Sequence, residues 1–124
     1  MPKKILLIDD DPLVLKTLEN LFKRAGRAPF SVKSVTEAKE KLKEYTPDLI
    51  ITDIRMPAQD GISFAKELKA GILGTEAAQV PLIFITGYAS EEAPVDAVKL
   101  GARDYILKPF DLDALLASVE ECLG

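Results

Sequence analysis

The sequence predicts an α/β domain in which helices cover both faces of a parallel sheet. Four short, nearly continuous apolar runs stand at Ile5-Leu6-Leu7-Ile8, Leu49-Ile50-Ile51, Leu82-Ile83-Phe84-Ile85 and Tyr105-Ile106-Leu107. They are too short for helices and rich in β-branched residues, the pattern of strands buried on both faces. Helical stripes alternate with them, and β-α alternation gives a parallel sheet with right-handed crossovers. A length of 124 residues suits one domain, so residues 1–124 are read as a single unit. A chain of this size buries roughly two thirds of its unfolded surface and needs no disulfide or structural metal to fold.

Each element has its own signature. The first apolar run leads into Asp11-Pro12, an N-cap followed by proline at the first helical position. Val14, Leu15, Leu18, Leu21, Phe22 and Ala25 then recur at three- and four-residue spacing. Phe30-Ser31-Val32-Lys33 alternates in polarity and suits a half-exposed edge strand. Ser34-Val35-Thr36-Glu37 can form a capping box, with Thr36 as the competing cap, ahead of a stripe of Ala38, Leu42 and Tyr45. Lys39, Lys41 and Lys43 on that helix read as a solvated face. Asp60 precedes a third helix with Ala65, Leu68 and Ile72, and Gly61 reads as a turn residue. Pro94 cannot sit deep in a helix, so a short fourth helix is expected to start near it. Asp111 precedes the last stripe, Leu112, Leu115, Leu116, Val119 and Leu123, where Cys122 reads as inert packing.

Composition removes many functions. There are 16 Lys+Arg, 20 Asp+Glu, one Cys and no His. Without His there is no Ser-His or Cys-His pair and no His zinc site. A single Cys makes no internal disulfide, so a reducing compartment fits. A net charge of −4 argues against nucleic-acid binding by phosphate neutralisation. Met1-Pro2-Lys3-Lys4 opens faintly like a signal, but Asp9 ends the apolar run far short of an h-region. No stretch approaches a membrane span, and a cytoplasmic protein is expected.

In parallel sheets of this kind ligands bind beyond the carboxyl ends of the strands, at the topological switch point. The first strand ends in Asp9-Asp10-Asp11, the third in Thr52-Asp53, the fourth in Thr86-Gly87 and the fifth in Lys108-Pro109. At a separation of about 4–5 Å two carboxylates repel by about 3–4 kcal/mol at an effective dielectric near 20. A hard divalent cation removes that repulsion, and Mg²⁺ suits one or two carboxylates plus phosphate oxygens. Lys108 offers a compact positive charge and Thr86 a hydroxyl. Asp is an established covalent nucleophile toward phosphoryl groups. This inventory suffices for an aspartyl-phosphate site.

The sequence closely resembles the receiver domains of bacterial two-component response regulators over essentially its whole length. Ile8-Asp9-Asp10-Asp11, Asp53-Ile54-Arg55-Met56-Pro57 with Asp60-Gly61, Thr86-Gly87 and Tyr105-Ile106-Leu107-Lys108-Pro109-Phe110 carry the resemblance. It implies a flavodoxin-like (βα)5 three-layer sandwich with strand order 2-1-3-4-5. It implies Asp53 as phosphoacceptor, Asp10 as a direct Mg²⁺ ligand, Asp9 as a ligand through water and the Arg55 backbone carbonyl as a further ligand. Lys108 would bridge to the phosphoryl group. Thr86 and Tyr105 would act as switch residues, and Lys108–Pro109 would be cis. The implied partners are a histidine kinase or phosphotransfer protein, and a downstream effector met by the face of the fourth helix, fifth strand and fifth helix. No membrane and no direct nucleic-acid contact is implied, and the only reactions catalysed would be the domain's own phosphorylation and dephosphorylation.

Gln59 departs from the family's usual apolar residue. Arg55 and Tyr88 lie two residues beyond the acceptor and the switch threonine, and two bulky side chains there are expected to shield the phosphoryl group from water. The stretches 26–30 and 71–80 look slightly long, an effect expected in loops only. The main rival is a non-phosphorylated receiver-like interaction module, against which the intact set of Asp10, Asp53, Thr86 and Lys108 argues. An Mg²⁺-dependent phosphatase would want a second acid soon after Asp53. An FMN carrier would want a hydroxyl- and glycine-rich first loop, where Asp9-Asp10-Asp11 would repel phosphate.

Overall fold

The computed structural model describes residues 2–54, 56, 60–87 and 101–123. Its strands are β1 (Lys4–Ile8), β2 (Ala28–Val32), β3 (Leu49–Asp53), β4 (Leu82–Thr86) and β5 (Asp104–Leu107). Its helices among the described residues are α1 (Pro12–Arg24), α2 (Val35–Leu42), α3 (Gly61–Lys69), α4 (Thr75–Ala78) and α5 (Leu112–Leu123). All strand pairs are parallel, and the sheet runs β2-β1-β3-β4-β5. The order reverses between β1 and β3, which places the ends of those two strands side by side.

Alternate strand residues serve two cores. Leu6, Ile8, Ile50 and Phe84 meet Ala38, Leu42, Phe64 and Leu68 from α2 and α3 on one face. Ile5, Leu7, Ile51 and Ile85 meet Leu15, Leu18 and Phe22 of α1, with Leu115 and Val119 of α5, on the other. Burying each large side chain of this kind stabilises by about 1.5–3 kcal/mol, which is why the strand runs carry almost no polar residues. β5 is the exception to the expected two-sided burial. It is an outer strand, its residues are only half-buried, and Leu107 is exposed.

Helix ends follow local chemistry. The Asp11 carboxylate accepts the Leu13 N–H at 2.9 Å, and Gly26 (φ 80°) turns the chain after α1. Ser34 is the cap of α2: its hydroxyl accepts the Glu37 N–H at 3.1 Å, while Glu37 reaches back to the Lys33 N–H at 2.6 Å. α2 ends at Leu42, so Tyr45 lies beyond it; Pro47 holds Thr46 away from helical backbone. Tyr45 instead packs on Phe30, with ring centroids 5.9 Å apart. The lysine run is not a plain solvated face. Lys41 Nζ sits 4.1 Å over the Phe30 ring, and Lys39 pairs with Glu67 of α3 at 2.8 Å. α3 ends before Gly71 (φ 81°), leaving Ile72 exposed rather than in a buried stripe. The stretch 71–80 holds the one-turn α4, which seats Ala77 and Val80 in the core. The helix expected near Pro94 falls in residues 88–100, outside the described residues.

β2 pairs with the sheet through alternate residues. The Ala28 N–H donates to the Lys3 carbonyl at 2.8 Å and the Val32 carbonyl accepts from the Asp9 N–H at 3.2 Å. Pro29 and Ser31 therefore turn their backbone groups away from β1.

Candidate functional site

The ends of β1, β3, β4 and β5 form one acidic hollow at the strand-order reversal. Asp9 follows Ile8 directly and is 1% exposed; Asp53 ends β3 and is 6% exposed. Asp10 beside them is exposed to solvent. One carboxylate oxygen from each of the three lies within 4.8 Å of the others.

Lys108 enters this hollow from the residue after β5. Its Nζ donates to Asp9 Oδ2 at 2.8 Å and to Asp53 Oδ2 at 3.1 Å. The cis Lys108–Pro109 bond follows, and the Lys108 N–H donates to the Thr86 carbonyl at 2.7 Å. The other carboxylate oxygens are held by backbone: Asp9 Oδ1 accepts the Asp11 N–H at 2.9 Å, and Asp53 Oδ1 accepts the Ile54 N–H at 2.7 Å. Thr86 is fully buried at the end of β4, in register with Leu107.

Electrostatics follow from this crowding. Burial pushes the Asp9 carboxyl above its ordinary range; the bonds from Lys108 and Asp11 oppose that rise, and the charge of Asp53 adds to it. Burial pulls the Lys108 ammonium down, but its bond to Asp9 and the charges of Asp9 and Asp53 outweigh it, so its pKa is raised. Three carboxylates against one ammonium leave a formal surplus of two negative charges. An all-oxygen donor set with surplus charge and one open member fits a hard divalent cation such as Mg²⁺.

The hollow therefore unites Asp9, Asp10, Asp53 and Lys108, with Thr86 at its β4 wall. Tyr105 lies on β5 opposite Phe84, against the α2–α3 core; its hydroxyl is shielded from solvent and has no hydrogen-bond partner among the described residues. Arg55, Gln59 and Tyr88 lie outside the described residues. Asp11 and Asp60 are helix caps, Asp60 accepting the Ser63 N–H at 2.7 Å. Cys122 is a free thiol packed against the second core.

Two residues beside the hollow were given no site role by sequence. Thr52, fully buried, donates its hydroxyl to the Asp53 carbonyl at 2.9 Å. A polar residue inside an apolar strand run was the available signal. Gly61, part of the motif that carries the resemblance but read as a turn residue, is buried against the same carbonyl.

Comparison with known proteins gives a consistent answer. The family model for the response regulator receiver domain matches residues 5–120. Transcriptional regulatory protein ZraR of Escherichia coli (strain K12) is 38% identical over 97% of this chain and 26% of its own length. Regulatory protein AtoC of the same organism is 35% identical over 97% of this chain and 25% of its own length. The chain thus spans about a quarter of the length of these curated relatives. The crystal structure of a response regulator receiver protein from Pseudomonas putida superposes with a TM-score of 0.90 at 29% identity, covering 98% of each chain.

Proposed function

The chain belongs to the family of response regulator receiver domains, and on that premise we propose that it is a phosphoacceptor, taking a phosphoryl group onto Asp53 from a histidine kinase or phosphotransfer protein. Receiver domains are signalling modules of two-component systems rather than classical enzymes. The observation that carries the finer reading is the placement of Lys108 between Asp9 and Asp53, at 2.8 and 3.1 Å, with Asp10 open beside them.

Receiver domains bind Mg²⁺ at an acidic pocket, and Asp10 and Asp53 would hold the ion here, with Asp9 acting through water and the Arg55 carbonyl as a further ligand. The exposure of Asp10 supports its direct role. Both oxygens of Asp9 are already engaged, which supports its indirect one. Bound Mg²⁺ supplies charge neutralisation for an anionic nucleophile meeting an anionic donor.

The chain's own residues do the rest. The Asp53 carboxylate attacks phosphorus in line, the P–N bond of the donor phosphohistidine breaks, and the imidazole leaves with the electron pair. Lys108 exchanges its contact with Asp53 for a phosphoryl oxygen. Thr86 donates its hydroxyl to another, and Tyr105 changes rotamer with it. The signal passes to the face of the helix expected near Pro94, β5 and α5, where exposed Leu107 lies. There it alters affinity for an effector domain or protein. Direct nucleic-acid contact is no part of this role, and residues 1–124 act as a single receiver unit. Cytoplasmic placement belongs to the same proposal; no helix among the described residues is long and apolar enough to cross a membrane.

Intact-mass measurement after incubation with acetyl phosphate and Mg²⁺ tests this reading. Wild type gains one phosphoryl group and Asp53→Asn gains none. No gain in wild type defeats the proposal, and equal gain in both misplaces the site.

A further inference from the structure

We propose that Gly61 and Thr52 are positioning residues for the phosphoacceptor: together they fix the peptide between Asp53 and Ile54, and with it the aim of the Asp53 carboxylate. The functional half of this inference rests on the phosphoacceptor reading above; the geometric half does not.

Gly61 opens α3 and is buried. Glycine is about 1 kcal/mol worse than alanine inside a helix, so helix propensity does not call for it. Backbone conformation does not either. Gly26, Gly71, Gly74 and Gly101 have positive φ, and Gly61 is not among them. What demands glycine is space. A Cβ on Gly61 would lie 2.1 Å from the Asp53 carbonyl oxygen, and 3.1 Å from both the Asp53 carbonyl carbon and the Ile54 Cα. All three atoms belong to one peptide unit, which cannot swing aside as a flexible side chain would.

That peptide unit controls the site. Its N–H, from Ile54, donates to Asp53 Oδ1 at 2.7 Å, while Oδ2 meets Lys108 at 3.1 Å. Its carbonyl oxygen receives the Thr52 hydroxyl at 2.9 Å. The Gly61 N–H donates to the Ile54 carbonyl at 2.7 Å, tying the start of α3 to the next peptide along. A methyl group at position 61 must rotate or displace the 53–54 peptide. Rotation re-aims the carboxylate away from Lys108 and from any donor approaching along the strand ends. A misplacement near 1 Å costs about 100-fold in rates that depend on alignment.

The test compares wild type, Gly61→Ala, Thr52→Val and Phe22→Leu. The last trims the core on the far face, where Phe22 is fully buried, and serves as a control for lost stability alone. Two quantities are read for each folded variant: the maximal rate of phosphorylation by acetyl phosphate at saturating Mg²⁺, and the amide exchange rate of Ile54 relative to Ile50. Gly61→Ala is expected to lower the maximal rate about 100-fold and to speed relative Ile54 exchange, while Phe22→Leu moves neither. Unchanged values in Gly61→Ala, or equal changes in Phe22→Leu, overturn the proposal. Should Gly61→Ala fail to fold, Thr52→Val carries the test. It removes the hydroxyl at nearly constant volume and is expected to shift both quantities in the same direction; no shift in either overturns the proposal. If wild type takes up no phosphoryl group, the phosphoacceptor reading fails, and Ile54 exchange still decides whether the peptide is held as described.

Discussion

Asp9 and Asp10 are adjacent in the chain, yet Asp9 is buried against Lys108 while Asp10 opens to solvent. The difference has a thermodynamic sign. The folded-state pKa of Asp9 stands above its ordinary value of 3.8, chiefly through burial. Its contribution to stability is therefore full below about pH 3.8 and is lost as pH rises through the raised folded value. At neutral pH the ionised Asp9 works against the fold, so Asp9→Asn is expected to raise the melting temperature in Mg²⁺-free buffer at pH 7 and to change it little near pH 3. Thermal unfolding at the two pH values checks both. Lys108→Ala has the opposite sign: it strands two buried carboxylates, and removing one partner of a buried pair costs about 3–5 kcal/mol. Denaturant unfolding without Mg²⁺ measures that loss. At this scale the sequence was informative about which residues gather, because a run of acids after a buried strand has few bland explanations. It was silent on the Asp53 carbonyl clamp, since a hydroxyl and a missing methyl group show their purpose only beside the atom they touch.

Among the elements, α2 shows where local rules win and where they stop. The Ser34 cap was legible, although Glu37 closes the box on Lys33 rather than on Ser34 itself. Ser34→Ala is expected to cost about 1 kcal/mol, read as a lower denaturation midpoint with an unchanged slope. The end of α2 was less legible. Leu42 and Tyr45 keep helical spacing, but Pro47 governs the backbone before it and moves Tyr45 onto Phe30. The same competition ends α3 early: Gly71 leaves Ile72 in water, and a turn of α4 takes the burial that Ile72 was expected to supply. β5 reads as apolar as the central strands, and its half-burial comes from its place in the sheet, which periodicity does not encode.

For the whole molecule, strand order matters most, because the reversal between β1 and β3 turns separate sequence motifs into one acidic hollow. Element order and strand types were legible from the chain, and the order 2-1-3-4-5 was supplied by family resemblance rather than by periodicity. With this surplus of negative charge in the hollow, the proposed cation binding is linked to folding. Mg²⁺ at ten times its dissociation constant should stabilise by about 1.4 kcal/mol, seen as a rise of several degrees in melting temperature. That rise should shrink in Asp10→Asn. A flat response in wild type would count against cation binding in the hollow. The other end of the sheet has a different consequence. Pro29 faces outward on β2 without an N–H, and just past the strand's end the Glu37 carboxylate occupies the Lys33 N–H. An incoming strand from a second molecule finds the Ser31 N–H between two positions that offer none, so this edge is a poor template for a further strand. Growth by strand addition is therefore discouraged at the β2 edge, on the far side of the sheet from β5.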